Sequence, residues 1–437
     1  MACVNSDGKI KIAFHTLGCK LNYAETSTLS RLFPEERFEK VNPSKEADIF
    51  VVNTCSVTDG AERKCRQLIR KIINRSPGAL IVVAGCYAQL RPHELSAIPG
   101  IDLVLGMNEK FDIGKYLSGC TKKETAEIHS RVISSSDPFI PSWSGGDRTR
   151  SFLKVQDGCD YGCSYCTVPL ARGSSRNPPV KLLKEKAGML ASAGIREIVL
   201  TGVNTGDFGK STGETLTDLL RELLTVQGIE RYRLSSIEPN LLTDDIIEMT
   251  AGSDKIAPHF HVPVQSGCNK ILGLMKRRYM KEVFAERVYR IKELIPLAGI
   301  GADVIAGFPG ESPDNFEETF SFLENLPLSY LHVFTFSGRP GTIAEKLPGK
   351  VSPEEMAERS RKLLSLSGLK SASFLKLNSG KNATVLFEKK RTGNSVTGYT
   401  GNYIRVEHPW GKGLPGQIRN VRLKDISDGN RMTIELL

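Results

Sequence analysis

The stretch KVQDGCDYGCSYCTVPLARG sets Cys159, Cys163 and Cys166 in the spacing C-x3-C-x2-C, directly after a strand-like run over 151–156. A turn at a strand end aims three thiolates at one point. Structural zinc sites close with four protein ligands, and no second cysteine or histidine pair stands nearby to complete one. A four-iron cluster held by three cysteines instead leaves one iron without a protein ligand. That open iron can bind a substrate, so the three residues are read as ligands of a [4Fe-4S] cluster.

The run at 151–156 is the first of six strand candidates, followed by 197–201, 232–236, 259–264, 301–306 and 331–336. Helical segments such as 180–193 and 281–294 fill the gaps. Six βα units curl into an open, partial (β/α)6 version of the eightfold barrel, whose site is built by loops at the carboxyl ends of the strands. The cysteine turn is one such loop. TGVNTG (201–206), SSIEP (235–239), HVPVQSG (261–267) and AGFPGE (306–311) end the next four strands. A glycine-rich turn often only permits a tight bend, but five loops on one rim point to a ligand.

The first third alternates short β-branched runs (11–14, 48–53, 80–84, 102–105) with helical stretches (22–32, 59–74, 89–97, 109–117). This alternation predicts an α/β, doubly wound parallel sheet, in which ligands collect at the carboxyl edge. Cys19, Cys55 and Cys86 each stand just after a predicted strand, about 35 and 30 residues apart, one βα unit per step. From the residues alone they read equally as a convergent ligand set or as three small core side chains.

Two further features frame the chain. No run of eighteen apolar residues exists, which predicts no membrane span. The N-terminus lacks the pattern of a secretion signal, and ten cysteines in 437 residues are too sparse for a secreted disulfide framework; the expectation is a cytoplasmic protein with reduced thiols. The net charge of +10 suggests an anionic partner. Half of that excess lies after residue 379, where ten Lys/Arg face five Asp/Glu.

The stretch 159–166, with Tyr165 just before the last cysteine, resembles the signature of radical S-adenosylmethionine (SAM) enzymes. Taken with TLGCKLNYAET, VNTCSVT and AGCYAQ, in that order, nearly the whole chain resembles the methylthiotransferase family of those enzymes. The resemblance implies that Cys19, Cys55 and Cys86 hold an auxiliary [4Fe-4S] cluster. Cys3, Cys65, Cys120 and Cys268 match no family ligand and are read as ordinary thiols. It also implies that the rim loops surround SAM: Tyr165 and Phe308, Pro309 and Gly310 near the adenine, Gly202, Val203 and Asn204 near the amino-acid part, and Ser236, Glu238 and Gln265 around ribose and methionine. Arg277 and Arg278 are candidates for the SAM carboxylate or an RNA phosphate, and Arg172 and Arg176 for cofactor or RNA. The reaction implied attaches sulfur to an unreactive C–H and methylates it from a second SAM, with electrons from a flavodoxin- or ferredoxin-type donor.

The domains expected are 1–127 for the auxiliary cluster, a linker over 128–150 rich in Ser, Pro and Gly, 151–379 for the radical SAM barrel, and 380–437. The last, led into by a helical segment over 353–376, shows short β-like runs with basic and aromatic residues. That composition suits RNA, and GYTGNYIRV resembles the TRAM domain, a small RNA-binding barrel; a capping β domain with a basic face fits the residues nearly as well. Lys389, Lys390, Arg391, Tyr403, Arg405, Arg419 and Arg422 are the RNA candidates. Within the family, LGCKLNYAE resembles the branch acting on N6-threonylcarbamoyladenosine beside the tRNA anticodon, at position 37, more than the isopentenyladenosine branch. The basic tail favours tRNA over a third branch that modifies a ribosomal protein. The expectation is a monomeric transferase acting on that tRNA. The alternatives are the isopentenyladenosine reaction and a non-catalytic iron-sulfur sensor that binds RNA.

Overall fold

The structure is a computed structural model and describes residues 8–117, 121–146, 148–427 and 429–437. Cys3 and Cys120 lie outside the described residues. The first layer is a six-stranded, wholly parallel sheet in the order β2-β1-β3-β4-β5-β6. Its strands are β1 (Ile10–Thr16), β2 (Phe38–Lys40), β3 (Ile49–Thr54), β4 (Leu80–Gly85), β5 (Leu103–Leu105) and β6 (Glu127–His129). IFVVNT and LIVVAG are buried throughout, as parallel strands covered on both faces must be. Phe50 and Val52 enter one core and Val51 the other, following the period of two.

The order β2-β1-β3 places a topological switch point between β1 and β3, where open sheets of this kind bind ligands. Helix α1 (Lys20–Arg31) follows β1, and Asp59–Arg75 follows β3. Thr58 caps the latter by accepting the Ala61 N–H at 3.1 Å. Two expectations change. The helix expected over 89–97 is two short ones, Cys86–Leu90 and Pro92–Ser96, because Pro92 lacks the N–H needed to continue the first. The stretch 109–117 is a 3-10 turn followed by one α turn. The sequence reading also missed β2 and β6, three residues each at the sheet edges.

The central layer is an arc of six parallel strands: β7 (Ser151–Lys154), β8 (Glu197–Thr201), β9 (Arg231–Leu234), β10 (His259–His261), β11 (Gly299–Ala306) and β12 (Tyr330–Thr335). Ladders join β7-β8-β9 and β10-β11-β12, and the parallel bridges Tyr232–Ile256 and Ser236–His261 connect the two halves. Helices cover the outside over one large core. On the inside Phe152, Val199 and Arg233 lie side by side in register, and α1 packs there through Tyr23 and Ala24. The stretch 128–150 does not hang free, since Trp143 pairs antiparallel with Leu153.

The long helix Pro353–Asn378 starts with a capping box from Ser352 and Glu355 and leads into a closed barrel in the order β13-β14-β15-β17-β16. Its strands are β13 (Asn382–Thr392), β14 (Ser395–Thr400), β15 (Arg405–Pro409), β16 (Ile418–Ser427) and β17 (Arg431–Leu436). Val385, Phe387, Val396, Val406 and Leu423 fill it. The barrel docks under the arc at buried Glu197. This carboxylate holds Arg231 and Arg233 at 3.1 and 3.0 Å, and both guanidinium groups then donate to backbone oxygens of β14 and its neighbours, including Tyr399, Thr400 and Gly401.

Candidate active site

The loop after β7 is fixed before it reaches its cysteines. Gly158 adopts φ +70° against the Ser174 carbonyl, where a side chain would collide with backbone. Gln156 accepts the Val203 and Asn204 N–H groups at 2.9 and 3.0 Å and donates to the Gly158 carbonyl at 2.7 Å. One side chain thus ties the cysteine loop to TGVN. Farther along, the Ser164 N–H donates to the Met275 carbonyl, and the Ser164 carbonyl accepts the Ala344 N–H.

Cys159, Cys163 and Cys166 are free thiols, and each accepts a hydrogen bond. Donors are the Tyr161 N–H at 3.4 Å, the Arg277 Nη1 at 3.2 Å and the Val168 N–H at 3.4 Å. Burial pushes Cys159 up to about 11 and Cys166 up to about 12, and raises Cys163 as well. These thiols therefore stay protonated until a metal displaces the proton. A donor set of three thiols with N–H groups directed at sulfur suits an iron-sulfur cluster.

Around Cys163 the rim residues gather. Arg277 pairs with Glu238 and donates to the Tyr165 hydroxyl at 3.2 Å; Tyr165 meets Phe308 edge to face at 6.3 Å between centroids. Asn204 presents a buried Nδ2 with no hydrogen-bond partner among the described residues, an orphan donor of the kind a polar ligand satisfies. Gln265 holds φ +62°, uncommon for a residue with a side chain. The Ser236 carbonyl accepts the Thr205 N–H. Gly310 adopts φ +87° and its N–H bonds the Gly349 carbonyl at 2.8 Å, holding Pro309 beside it. Gly202 lies where a Cβ would press on Gln156. Arg278 lies outside this group, over the Tyr161 ring and bonded to the Asp160 carbonyl.

The second triad forms at the switch point. Gly18, at φ +107°, lets the loop after β1 lie against Cys55; a Cβ there would fall 2.7 Å from the Cys55 Cβ. Asn22 then spans both strand ends, its Nδ2 donating to the Leu17 and Thr54 carbonyls, each at 2.9 Å. Cys86 follows Gly85 at the end of β4. The three sulfurs share one electrostatic environment: burial pushes Cys55 up to about 12, with Cys86 and Cys19 adding to it, and burial raises Cys86, with Cys19 again contributing. Cys65 and Cys268 are buried, the former against the Cys55 carbonyl.

The short helix that begins at Cys86 packs against Val168–Arg172, the helix following Cys166. Beneath this contact lies a buried charge network. Arg172 is 2% exposed and bonds Glu25, Asp157 and Asn22, which corrects its reading as a cofactor or RNA contact: its donors are spent inside the protein. Arg176 is turned the same way, 3.6 Å from Asp157 and bonded to the Arg172 carbonyl. Lys110 and Lys154 bond Glu25 at 2.7 and 3.2 Å. Burial pushes Glu25 up, but Arg172, Lys110 and Lys154 outweigh it and hold the carboxyl well below its usual range.

The sequence reading overlooked the inner wall of the arc. His261, Asp303 and His332 bring their ligand atoms within 4.8 Å of one another, with His261 Nε2 2.6 Å from Asp303. A cavity of about 280 Å³ opens beside Cys19, lined by Lys20, Tyr23, Arg148, Arg150, Arg233 and Tyr403 among others. Of the RNA candidates, Lys389, Lys390, Arg391, Arg405, Arg419 and Arg422 are exposed on the small barrel. Tyr403 departs from them: at φ +73° it stacks on Tyr399 and faces the cavity over Arg233.

The chain is similar to known proteins along nearly its whole length. The uncharacterized protein family UPF0004 matches residues 11–106, and the radical SAM superfamily matches residues 153–323. The threonylcarbamoyladenosine tRNA methylthiotransferase MtaB of Bacillus subtilis is 37% identical over 425 residues, covering 94% of this chain and 93% of the relative. A tRNA-2-methylthio-N(6)-dimethylallyladenosine synthase of Syntrophus aciditrophicus is 31% identical over 427 residues, covering 95% and 92%. Among solved structures, the radical SAM methyltransferase TsrM of Kitasatospora setae aligns with a TM-score of 0.53 at 15% identity, covering 75% of each chain; that likeness concerns the fold. No described helix is long and apolar enough to cross a membrane.

Proposed function

We propose, from the premise that this chain belongs to the radical SAM methylthiotransferase family, that it attaches a methylthio group to C2 of N6-threonylcarbamoyladenosine at position 37 of tRNA. Family membership rests on relatives matched along nearly the whole chain. The observation that carries the reading is the pair of free-cysteine triads, one on each parallel sheet, brought together by the contact between the helices that start at Cys86 and follow Cys166.

In this reading Cys159, Cys163 and Cys166 hold one [4Fe-4S] cluster and Cys19, Cys55 and Cys86 a second. Bound there, reduced clusters and SAM supply a carbon radical able to take hydrogen from an unactivated C–H, and a sulfur source beside it. The chain's part is placement. Tyr165 and Phe308 offer apolar faces for an adenine, with Pro309 and Gly310 closing the edge. Asn204 directs its free amide into the same space, with Gly202 and Val203 held by Gln156, while Ser236, Glu238 and Gln265 occupy the neighbouring rim. Arg277 keeps Glu238 paired and donates to Cys163, which favours the ligating thiolate.

Residues 1–127 and 151–379 are the two catalytic domains in this proposal, joined by 128–150. The barrel over 380–437 acts as a TRAM-like RNA module whose exposed Lys389, Lys390, Arg391, Arg405, Arg419 and Arg422 follow the phosphate backbone. The enzyme works as a cytoplasmic monomer fed by a flavodoxin- or ferredoxin-type donor. Relatives named for the dimethylallyl substrate, at 30–31% identity, supply the second reading, isopentenyladenosine.

The test incubates anaerobically reconstituted protein with tRNA carrying either modification and digests the product to nucleosides. A methylthio product on threonylcarbamoyladenosine is expected. Product only on isopentenyladenosine rejects the substrate, and no product together with no 5'-deoxyadenosine rejects the enzyme in favour of a sensor.

A further inference from the structure

The cavity beside Cys19 is walled by four cations from three parts of the chain. Lys20 opens α1, Arg148 and Arg150 come from the segment before β7, and Arg233 stands on the inner face of β9 next to Val199 and Phe152. Two of these charges are already answered. Arg233 is spent on Glu197 and on the carbonyls of Thr400 and Gly401, and Arg150 bonds Glu388 at 3.0 Å. Lys20 and Arg148 have no carboxylate within ion-pair distance among the described residues. Arg148 rests over the Tyr23 ring at 3.9 Å, which fixes its guanidinium at the cavity mouth. On the opposite strands Asp303 is engaged by His261. The first turn of α1 carries no acidic residue, and no side chain caps it, so its amide groups add positive potential at the same place.

We infer that this cavity is the pocket for the carboxylate of the threonylcarbamoyl group, with Lys20 as its counter-ion and Arg148 as the second donor. The inference rests on the proposed function and names the residues that choose its substrate. A neutral, apolar isopentenyl group would seal Lys20 away from water with nothing to balance it, a costly arrangement. A carboxylate restores the balance. The volume, about 280 Å³, lies just below the range of about 300–1,000 Å³ typical of small-molecule pockets. It suits an amino-acid-sized substituent better than a nucleotide with its phosphates. Its position follows the chemistry too: the substituent on N6 lies on the same ring edge as C2, and Cys19 itself lines the cavity.

The test compares two anticodon stem-loop RNAs, one bearing N6-threonylcarbamoyladenosine and one bearing its methyl ester, which keeps the shape and removes the charge. With wild-type protein, kcat/KM on the ester is expected to fall by about tenfold to a hundredfold, the worth of a charge-assisted hydrogen bond. Lys20→Met should lose about as much on the acid and nothing further on the ester, while Lys20→Arg keeps most of the preference. Because Lys20 adjoins a cysteine, iron content is measured alongside; Arg148→Met, remote in sequence from any cysteine, repeats the comparison if iron is lost. Equal losses on acid and ester in these variants would overturn the inference and point to an RNA phosphate or a packing role. Equal use of both RNAs by wild-type protein would overturn it as well. Product from neither RNA would overturn the methylthiotransferase reading itself, and this inference with it.

Discussion

Arg172 grips Glu25 with both arms of its guanidinium, Nη1 3.0 Å from one carboxylate oxygen and Nη2 3.1 Å from the other. The bond crosses from the helix after Cys166 to the helix after β1. Through Asn22, which Arg172 also bonds at 2.7 Å, it reaches the strand ends that carry Cys19 and Cys55. Each triad is therefore positioned partly by the other's domain.

Removing the negative charge at the centre should be costly. Glu25→Gln leaves Lys110, Lys154 and Arg172 buried with only Asp157 between them. Breaking one partner of a buried ion network costs about 3–5 kcal/mol. The expected result is a loss of that size in urea unfolding of the apo-protein, together with weaker iron retention at both triads. A variant as stable as wild type would show that Glu25 does not tie the layers together.

Glu197 makes stability depend on acid. Burial pushes its carboxyl up, but Arg233, Arg231 and Arg150 outweigh this and bring it to about 2. A carboxyl lowered on folding contributes stability that is present above its unfolded value, about 4.3, and is lost as the pH falls towards 2. The contribution is roughly 3 kcal/mol. Glu197→Gln should be less stable at pH 7 and show a shallower loss between pH 4.5 and 2. Limited proteolysis should also release 380–437 sooner, since Arg231 and Arg233 lose the anchor that holds them against β14.

The two triads should load iron independently. Cys163→Ser and Cys86→Ser are each expected to keep about half the iron of reconstituted wild-type protein, because each removes one of three ligands from a single cluster. Only the Cys86 variant should still form 5'-deoxyadenosine from SAM. Iron lost in full from either variant would mean that the six thiols form one site.

What the sequence made legible follows from how local each signal is. The spacing 159–163–166 is read within eight residues, and the buried runs of β3 and β4 are continuous, so the cysteine loop and parallel sheet could be read directly. Glycines 18 and 85 mark the strand ends that release Cys19 and Cys86. Arg172 was misread because its partner Glu25 stands 147 positions away, and nothing near Arg172 announces a carboxylate. Tyr403 stands among basic residues in the sequence, and only its left-handed backbone shows that it faces the cavity rather than the outer surface of the barrel. Lys20 passed unnoticed because its significance depends on three other segments converging on it.

Gln156 offers the sharpest test of the rim. Its side chain reaches five partners: Oε1 accepts from Val203 and Asn204, and the two Nε2 hydrogens are shared among the Asp157 and Gly158 carbonyls and the Ser175 hydroxyl. Gln156→Leu keeps the volume but strands two N–H groups and two carbonyls, each worth about 1–3 kcal/mol when buried without a partner. The TGVN loop should then leave its place, carrying the Asn204 amide with it, while the cysteines keep their own N–H donors. Calorimetric titration of SAM into the reconstituted variant is expected to show binding weakened at least tenfold with iron content within a fifth of wild type. Unchanged SAM affinity would mean that the loop after β8 lies outside the cofactor site, and that Asn204's free amide faces something else.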